Sequence, residues 1–322
     1  MLTVLLGLSG ALVYGAADFL GGLASRRLRA VAVSAVAAAV GIVPLLVGLV
    51  LVGGVFSWPG TVWGLVAGAS GGVGVLLLYR ALAIGPMSVL SPLTAVFAAV
   101  VPVLVAVLRG TDLSPLAVAA LVVAVVAVVL VAAVRDTSGA RVTAVGLVTA
   151  AVAGCGFGGI VLAYDLTPAD SGVAPLVVAR LLQTVLLGTA AVVTGRSLRT
   201  GGTVHAGGAA HAGGSDAGSE AAGAAGAGSA GDAAAPPRPW SRRVVLVVAA
   251  CGVLDALANV FIQAALHTSD DPVTLPVVSV LNALYPVGTV VLAGSVLRER
   301  LSGAQWTGIV LAFAASVGLA LA

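Results

Sequence analysis

Apolar residues run almost without interruption from Leu2 to Leu321, in stretches of about 20 separated by short segments carrying Arg, Asp, Gly or Pro. A run of that length spans the hydrocarbon core of a bilayer as a helix. The pattern predicts helices near Leu2 to Ala24, Ala30 to Val52, Thr61 to Leu82, Ser88 to Leu108, Leu113 to Val134, Val142 to Tyr164, Gly172 to Thr194, Val244 to Leu266, Val273 to Val296 and Ser302 to Leu321. That makes ten spans. The period-two alternation of a membrane barrel is absent.

Within this pattern the stretch Tyr79 to Leu108 largely recurs from Gln263 to Leu292. Pro92 and Pro276 are 184 apart (276 − 92), as are Pro102 and Pro286, Ala81 and Ala265, and Tyr79 and Gln263. Gly7, Leu8, Ala11 and Gly15 match Gly146, Leu147, Ala150 and Gly154 at an offset of 139 (146 − 7). The two offsets differ by 45 (184 − 139), which is the length of an insertion between the matched regions. That insertion is visible as a Gly/Ala/Ser tract at about 195–241, too poor in large apolar side chains to order itself and expected to be a disordered loop. Two repeats result, at 1–135 and 142–322, each of five helices. An odd number of crossings inserts the second copy upside down, so the fold class is an all-α integral membrane protein with ten transmembrane helices as two inverted five-helix repeats.

Composition sharpens this. The chain is 60% hydrophobic and only 8% charged, too few charges to coat a soluble domain. Its net charge of +3 comes entirely from arginine on the basic side. Most of those arginines, including Arg26, Arg27, Arg29, Arg80, Arg135, Arg141, Arg238, Arg242, Arg243, Arg298 and Arg300, fall at odd-numbered loops, whereas the even-numbered loops hold Arg109 and several aspartates. Positive charge stays on the cytoplasmic side, which puts the odd loops in the cytoplasm and both termini outside. No basic stripe with interleaved aromatics marks a nucleic-acid surface. Cys155 and Cys251 sit in apolar runs and read as small packed side chains. Gly64, Gly68 and Gly72, like Gly154 and Gly158, recur every fourth residue and read as helix-packing contacts.

Ionisable groups at membrane depth are costly and mark function by default. Three stand out: Asp18, Arg180 and Asp255. Asp18, one turn after Tyr14, is either a proton or cation acceptor in a cavity or an interfacial carboxylate beside Arg26 and Arg27. Arg180 shares a face with Gln183 and Thr184 and would hold an anionic group, pair with a buried aspartate, or both. Asp255, Asn259 and Gln263 advance by four residues each and form one polar stripe, read as cavity lining in preference to interhelical glue. Ser279, Asn282 and Tyr285 make a second polar face before Pro286, while Tyr79 and Arg80 read as interfacial anchors. The substrate-binding set is therefore Asp18, Arg180, Gln183, Asp255, Asn259, Gln263 and Asn282.

The two Pro-marked repeats, the YRALAIGPMSVLSPLTA run from Tyr79, LRERLSGAQWTG from Leu297 and YGAADFLGGLASRR from Tyr14 resemble the EamA family of the drug/metabolite transporter superfamily. The resemblance implies a ten-helix carrier in the cell membrane, exporting amino acids, metabolites or drugs by alternating access, with protons as the coupling ion and no other cofactor. It also implies cytoplasmic termini, against the arginine bias. A lipid-linked flippase and a non-transporting membrane partner are the alternatives. An enzyme is not expected, since H-E-x-x-H, G-x-S-x-G and ligand-spaced Cys/His are all missing.

Overall fold

Helices form where the apolar pattern places them. The computed structural model describes residues 1–25, 27–84, 87–132, 143–207, 240–296 and 302–321. In chain order they build α1 (Leu2–Ser25), α2 (Ala30–Leu51), α3 (Trp58–Ile84), α4 (Met87–Leu108), α5 (Pro115–Ala132), α6 (Ala144–Asp165), α7 (Ala174–Gly207), α8 (Arg242–Leu266), α9 (Thr274–Asn282), α10 (Tyr285–Val296) and α11 (Gly303–Leu321), with a 3₁₀ turn at Ala169–Ser171. Among the described residues seven segments are long and apolar enough to cross a bilayer, α9 and α10 counting together, and three shorter apolar helices accompany them. The protein is an all-helical, multi-pass membrane protein.

Its surface is built for lipid. Large apolar side chains point outward, with Leu5 64%, Val50 83% and Phe313 74% exposed, whereas the interior is dominated by Ala, Gly and Val. Lipid is as apolar as the helices, so burial gives little drive and close backbone approach must supply the packing. A Cβ added at Gly68 would lie 2.6 Å from the Ala179 carbonyl oxygen, and one added at Gly252 would overlap that of Ala37. These two glycines let α3 sit on α7 and α8 on α2. Further pairings put α1 against α8 and α10, α6 against α3 and α4, α2 against α7, and α5 against α11.

Side-chain caps start several helices: Ser57 caps α3, Ser114 α5 and Ser302 α11, while Thr143 Oγ1 accepts from Gly146 N at 3.1 Å at α6 and Ser241 Oγ from Val244 N at 3.4 Å at α8. The first departure from the expected layout is the ninth span, which is two helices rather than one, broken at Ala283 and Leu284. Pro286 has no N–H to offer Asn282, and its ring would press on that carbonyl, so the first helix stops at Asn282 and a new one begins with Pro286 in its opening turn. Pro102, its counterpart in the repeat spacing, sits inside an unbroken α4. A second departure is α7, which continues past Thr194 to Gly207, into the tract expected to be disordered from about 195. Residues 208–239 of that tract lie outside the described residues, as do Arg26, Arg135, Arg141, Arg298 and Arg300.

One end of the bundle gathers the even-numbered connections. Thr3 and Thr268 hydroxyls share a 2.6 Å hydrogen bond, Arg109 pairs with Asp165 at 3.4 Å, and Val55 N donates to Asp170 O at 3.3 Å. Gly53 and Gly172, at φ 91° and 50°, occupy the left-handed region that lets the α2–α3 and α6–α7 connections meet there. At the opposite end Arg29 approaches Gly195, joining the start of α2 to the far part of α7.

Candidate functional site

Where these helices cross, a cavity of about 190 Å³ opens, and its polar lining comes from seven of them. α1 supplies Tyr14 and Asp18, α2 Ser34, α3 Tyr79, α7 Arg180 and Gln183, α8 Asp255 and Asn259, α9 Ser279 and Asn282, and α10 Tyr285. Phe157, Ile160 and Val161 of α6 form the apolar wall. The broken span is what brings Asn282 and Tyr285 here. Irregular backbone at membrane depth is tolerated where it borders a cavity.

The electrostatic centre is an ion pair between Arg180 and Asp255, with side chains only 8% and 19% exposed. Arg180 Nη2 meets Asp255 Oδ2, while Nη1 donates to Gln183 Oε1 at 3.1 Å. Thr184 Oγ1 donates to the Arg180 carbonyl at 2.8 Å, tightening α7 at that turn. On α8, Asn259 Nδ2 donates to the Asp255 carbonyl at 2.8 Å. The two ends of the guanidinium are thus held by groups of the protein itself. A buried pair of this kind is kept only because each charge neutralises the other.

Around that centre the other groups are less committed. Asp18 is exposed to the cavity and, among the described residues, has no hydrogen-bond or ion-pair partner. The amide oxygen of Asn282 is buried without a hydrogen bond. Tyr14 and Tyr285 stand side by side, ring centroids 5.9 Å apart and tilted by 51°. Ser34 and Tyr79 hydroxyls share a 2.7 Å hydrogen bond between α2 and α3.

Of the seven residues singled out in the sequence, Asp18, Arg180, Gln183, Asp255, Asn259 and Asn282 border this one cavity. Gln263 does not. Its Nε2 donates to Thr167 Oγ1 at 2.8 Å, in a buried layer beyond Ile262 and Val161. Thr167 Oγ1 in turn donates to Tyr164 O at 2.7 Å and lies 3.2 Å from His267 Nε2. The predicted stripe therefore divides, its first two members in the cavity and its third in a seal between α6 and α8.

Two lining residues escaped the sequence reading. Tyr79, expected at the interface as an anchor, turns inward onto Ser34, and its neighbour Arg80 is the exposed one. Ser34 is a single hydroxyl in an apolar run, with nothing in its own neighbourhood to mark it. The only available signal was Tyr79 matching Gln263 in the repeat.

Comparison with known proteins supplies independent findings. Residues 228–321, which include α8 to α11, match the EamA-like transporter family. A solved crystal structure of a protein is similar in fold over 99% of this chain and 96% of its own, with a TM-score of 0.69 at 16% identity. No curated protein sequence matches the chain.

Proposed function

We propose, starting from an EamA-like transporter family domain of the drug/metabolite transporter superfamily at residues 228–321, that this protein is a secondary transporter of the cell membrane. It moves a small solute through the Arg180–Asp255 cavity by alternating access and works as an exporter coupled to protons. It is a carrier and not an enzyme. The observation that carries the reading is a polar cavity at the crossing of the helices, sealed at one end and lined toward the other. Ser34 and Tyr79 lie within about two turns of the odd-loop ends of α2 and α3. Toward the even-loop end, Gln263, Thr167 and Tyr164 close the path in a buried layer.

Two inverted repeats, at 1–135 and 142–322, fit this packing. Exchanging α1 with α6, α2 with α7, α3 with α8, α4 with α9 and α10, and α5 with α11 turns the α1–α8 contact into α6–α3 and the α2–α8 contact into α7–α3. Gly68 and Gly252, 184 apart, hold equivalent seams. Several of the lesser contacts do not follow the rule, and one of them lies at the seal. α6 touches α8 through the seal, whereas α1 and α3, their counterparts, make no comparable approach among the described residues. In an alternating-access carrier that asymmetry is one state, and its mirror image is the other. Tyr79, the repeat partner of Gln263, would then close the odd-loop end.

Cavity size speaks to cargo. About 190 Å³ holds roughly six waters at liquid density and is smaller than the usual drug-sized pocket of about 300–1,000 Å³. A lipid-linked cargo is a poor fit. In reconstituted vesicles with an imposed proton gradient, Asp255→Asn and Arg180→Ala should cut solute flux to about a tenth of the parent rate or less, since each removes a charge-assisted bond at the centre. Flux equal to the parent's in both well-inserted variants would refute the site.

A further inference from the structure

The cavity's uncommitted charge among the described residues is negative, opposite to the sign Arg180 suggests by itself. An arginine in a transporter cavity invites an anion. Here the guanidinium is committed: one terminal nitrogen to Asp255, the other to Gln183. An anion that took the place of Asp255 would displace a buried carboxylate from its pair and leave it uncompensated.

The one charge in the lining left unpaired among the described residues is an acceptor. Asp18 faces the cavity with no partner among the described residues, and Asn282 Oδ1 is buried without a hydrogen bond. With Arg180 and Asp255 cancelling, Asp18 leaves the lining with formal charge −1 among its described residues. Tyr14, Tyr285, Tyr79 and Phe157 add aromatic faces, whose negative π clouds attract cations. Each of these features favours a ligand that brings positive charge and N–H donors. A buried acceptor left without a donor costs free energy that such a ligand would recover.

We infer that the cavity selects small organic cations bearing a protonated amine, with Asp18 as counter-ion and Asn282 Oδ1 as a second acceptor. The amine sits between Asp18 and the broken α9–α10 junction, and its apolar body lies against Phe157 and the Tyr14–Tyr285 pair. This rests on the transporter reading for what happens after binding, but not for the binding itself. Selection by charge follows from the lining alone.

The test uses three probes of one shape: 2-phenylethylammonium, 2-phenylethanol and 3-phenylpropanoate. Binding to the purified full-length protein is read by thermal shift and tryptophan fluorescence. The ammonium should bind about tenfold or more tighter than the alcohol, and the carboxylate weakest. Asp18→Asn should bring ammonium and alcohol to equal affinity, Asp18→Glu should preserve the preference, and Asn282→Leu should weaken the ammonium more than the alcohol. Tightest binding by the carboxylate, an ammonium preference that survives Asp18→Asn, or no binding by any probe would overturn the inference. Counterflow in vesicles separates it from the transport reading. Asp18-dependent ammonium binding without counterflow upholds the selectivity and sinks the carrier. Counterflow of neutral or anionic solutes with ammonium excluded does the reverse.

Discussion

Arg180→Ala should lower the stability of the purified protein by about 3 to 5 kcal/mol, the usual cost of stranding a buried charge. The partner left behind is Asp255, with its side chain 19% exposed, and Gln183 Oε1 loses its donor as well. The diagnostic comparison is the double variant Arg180→Met with Asp255→Leu. Removing both charges removes the desolvation penalty along with the attraction, so most of the lost stability should return. Transport should not. Thermal unfolding in detergent reads the first quantity and vesicle flux the second. A double variant no more stable than Arg180→Ala would mean that the pair is not the source of the cost.

Gly252→Val should be the most damaging single change in the apolar scaffold. A Cβ at this position overlaps the Ala37 carbonyl oxygen, which is backbone and cannot swing aside. The α2–α8 seam must widen, and with it the part of the cavity wall that carries Ala37, Ala38, Asp255 and Asn259. Over-packing costs about 1 to 3 kcal/mol where side chains can yield, and this site should exceed that range. Gly68→Ala, 2.6 Å from the Ala179 carbonyl oxygen, should behave similarly but more mildly. Gly188→Ala is the control: nothing lies within 4 Å of the added methyl, and alanine's better helix propensity should add about 1 kcal/mol or less. Equal behaviour of Gly252 and Gly188 variants would remove close backbone packing as the organising force.

Much of this architecture can be read from residue order. The apolar runs locate each span to within a few residues because membrane thickness sets their length, and every backbone group in lipid must be bonded within its own helix. The broken ninth span is harder. Pro102 and Pro286 are 184 residues apart (286 − 102), the spacing of the sequence repeat, yet α4 stays continuous and the α9–α10 span breaks, so a proline in the sequence does not by itself tell where a helix will end. The site divides along the same line. Asp18, Arg180 and Asp255 are legible because charge in an apolar run is costly wherever it points.

Gln263 is misjudged by periodicity. Eight residues past Asp255 it has climbed about 12 Å along the axis and turned about 80° around it, enough to leave the cavity for the seal. Tyr79 fails for another reason. An aromatic beside an arginine near a helix end is an interface signal, and only the hydroxyl of Ser34, far away in sequence, turns it inward.

The central claim is one cavity reached in turn from opposite ends, and paired distances test it most directly. Spin labels at Gly22 and Leu78 span the odd-loop mouth between α1 and α3; labels at Leu166 and Ser269 span the even-loop seal between α6 and α8, in a background of Cys155→Ser and Cys251→Ala. Cutting the seal with Gln263→Leu and Thr167→Val removes about 1 to 2 kcal/mol from the sealed state, a shift of roughly 5- to 30-fold in population. The account predicts that the even-loop distance lengthens while the odd-loop distance shortens, in the same fraction of molecules. Both distances unchanged, or both moving in the same direction, would contradict it.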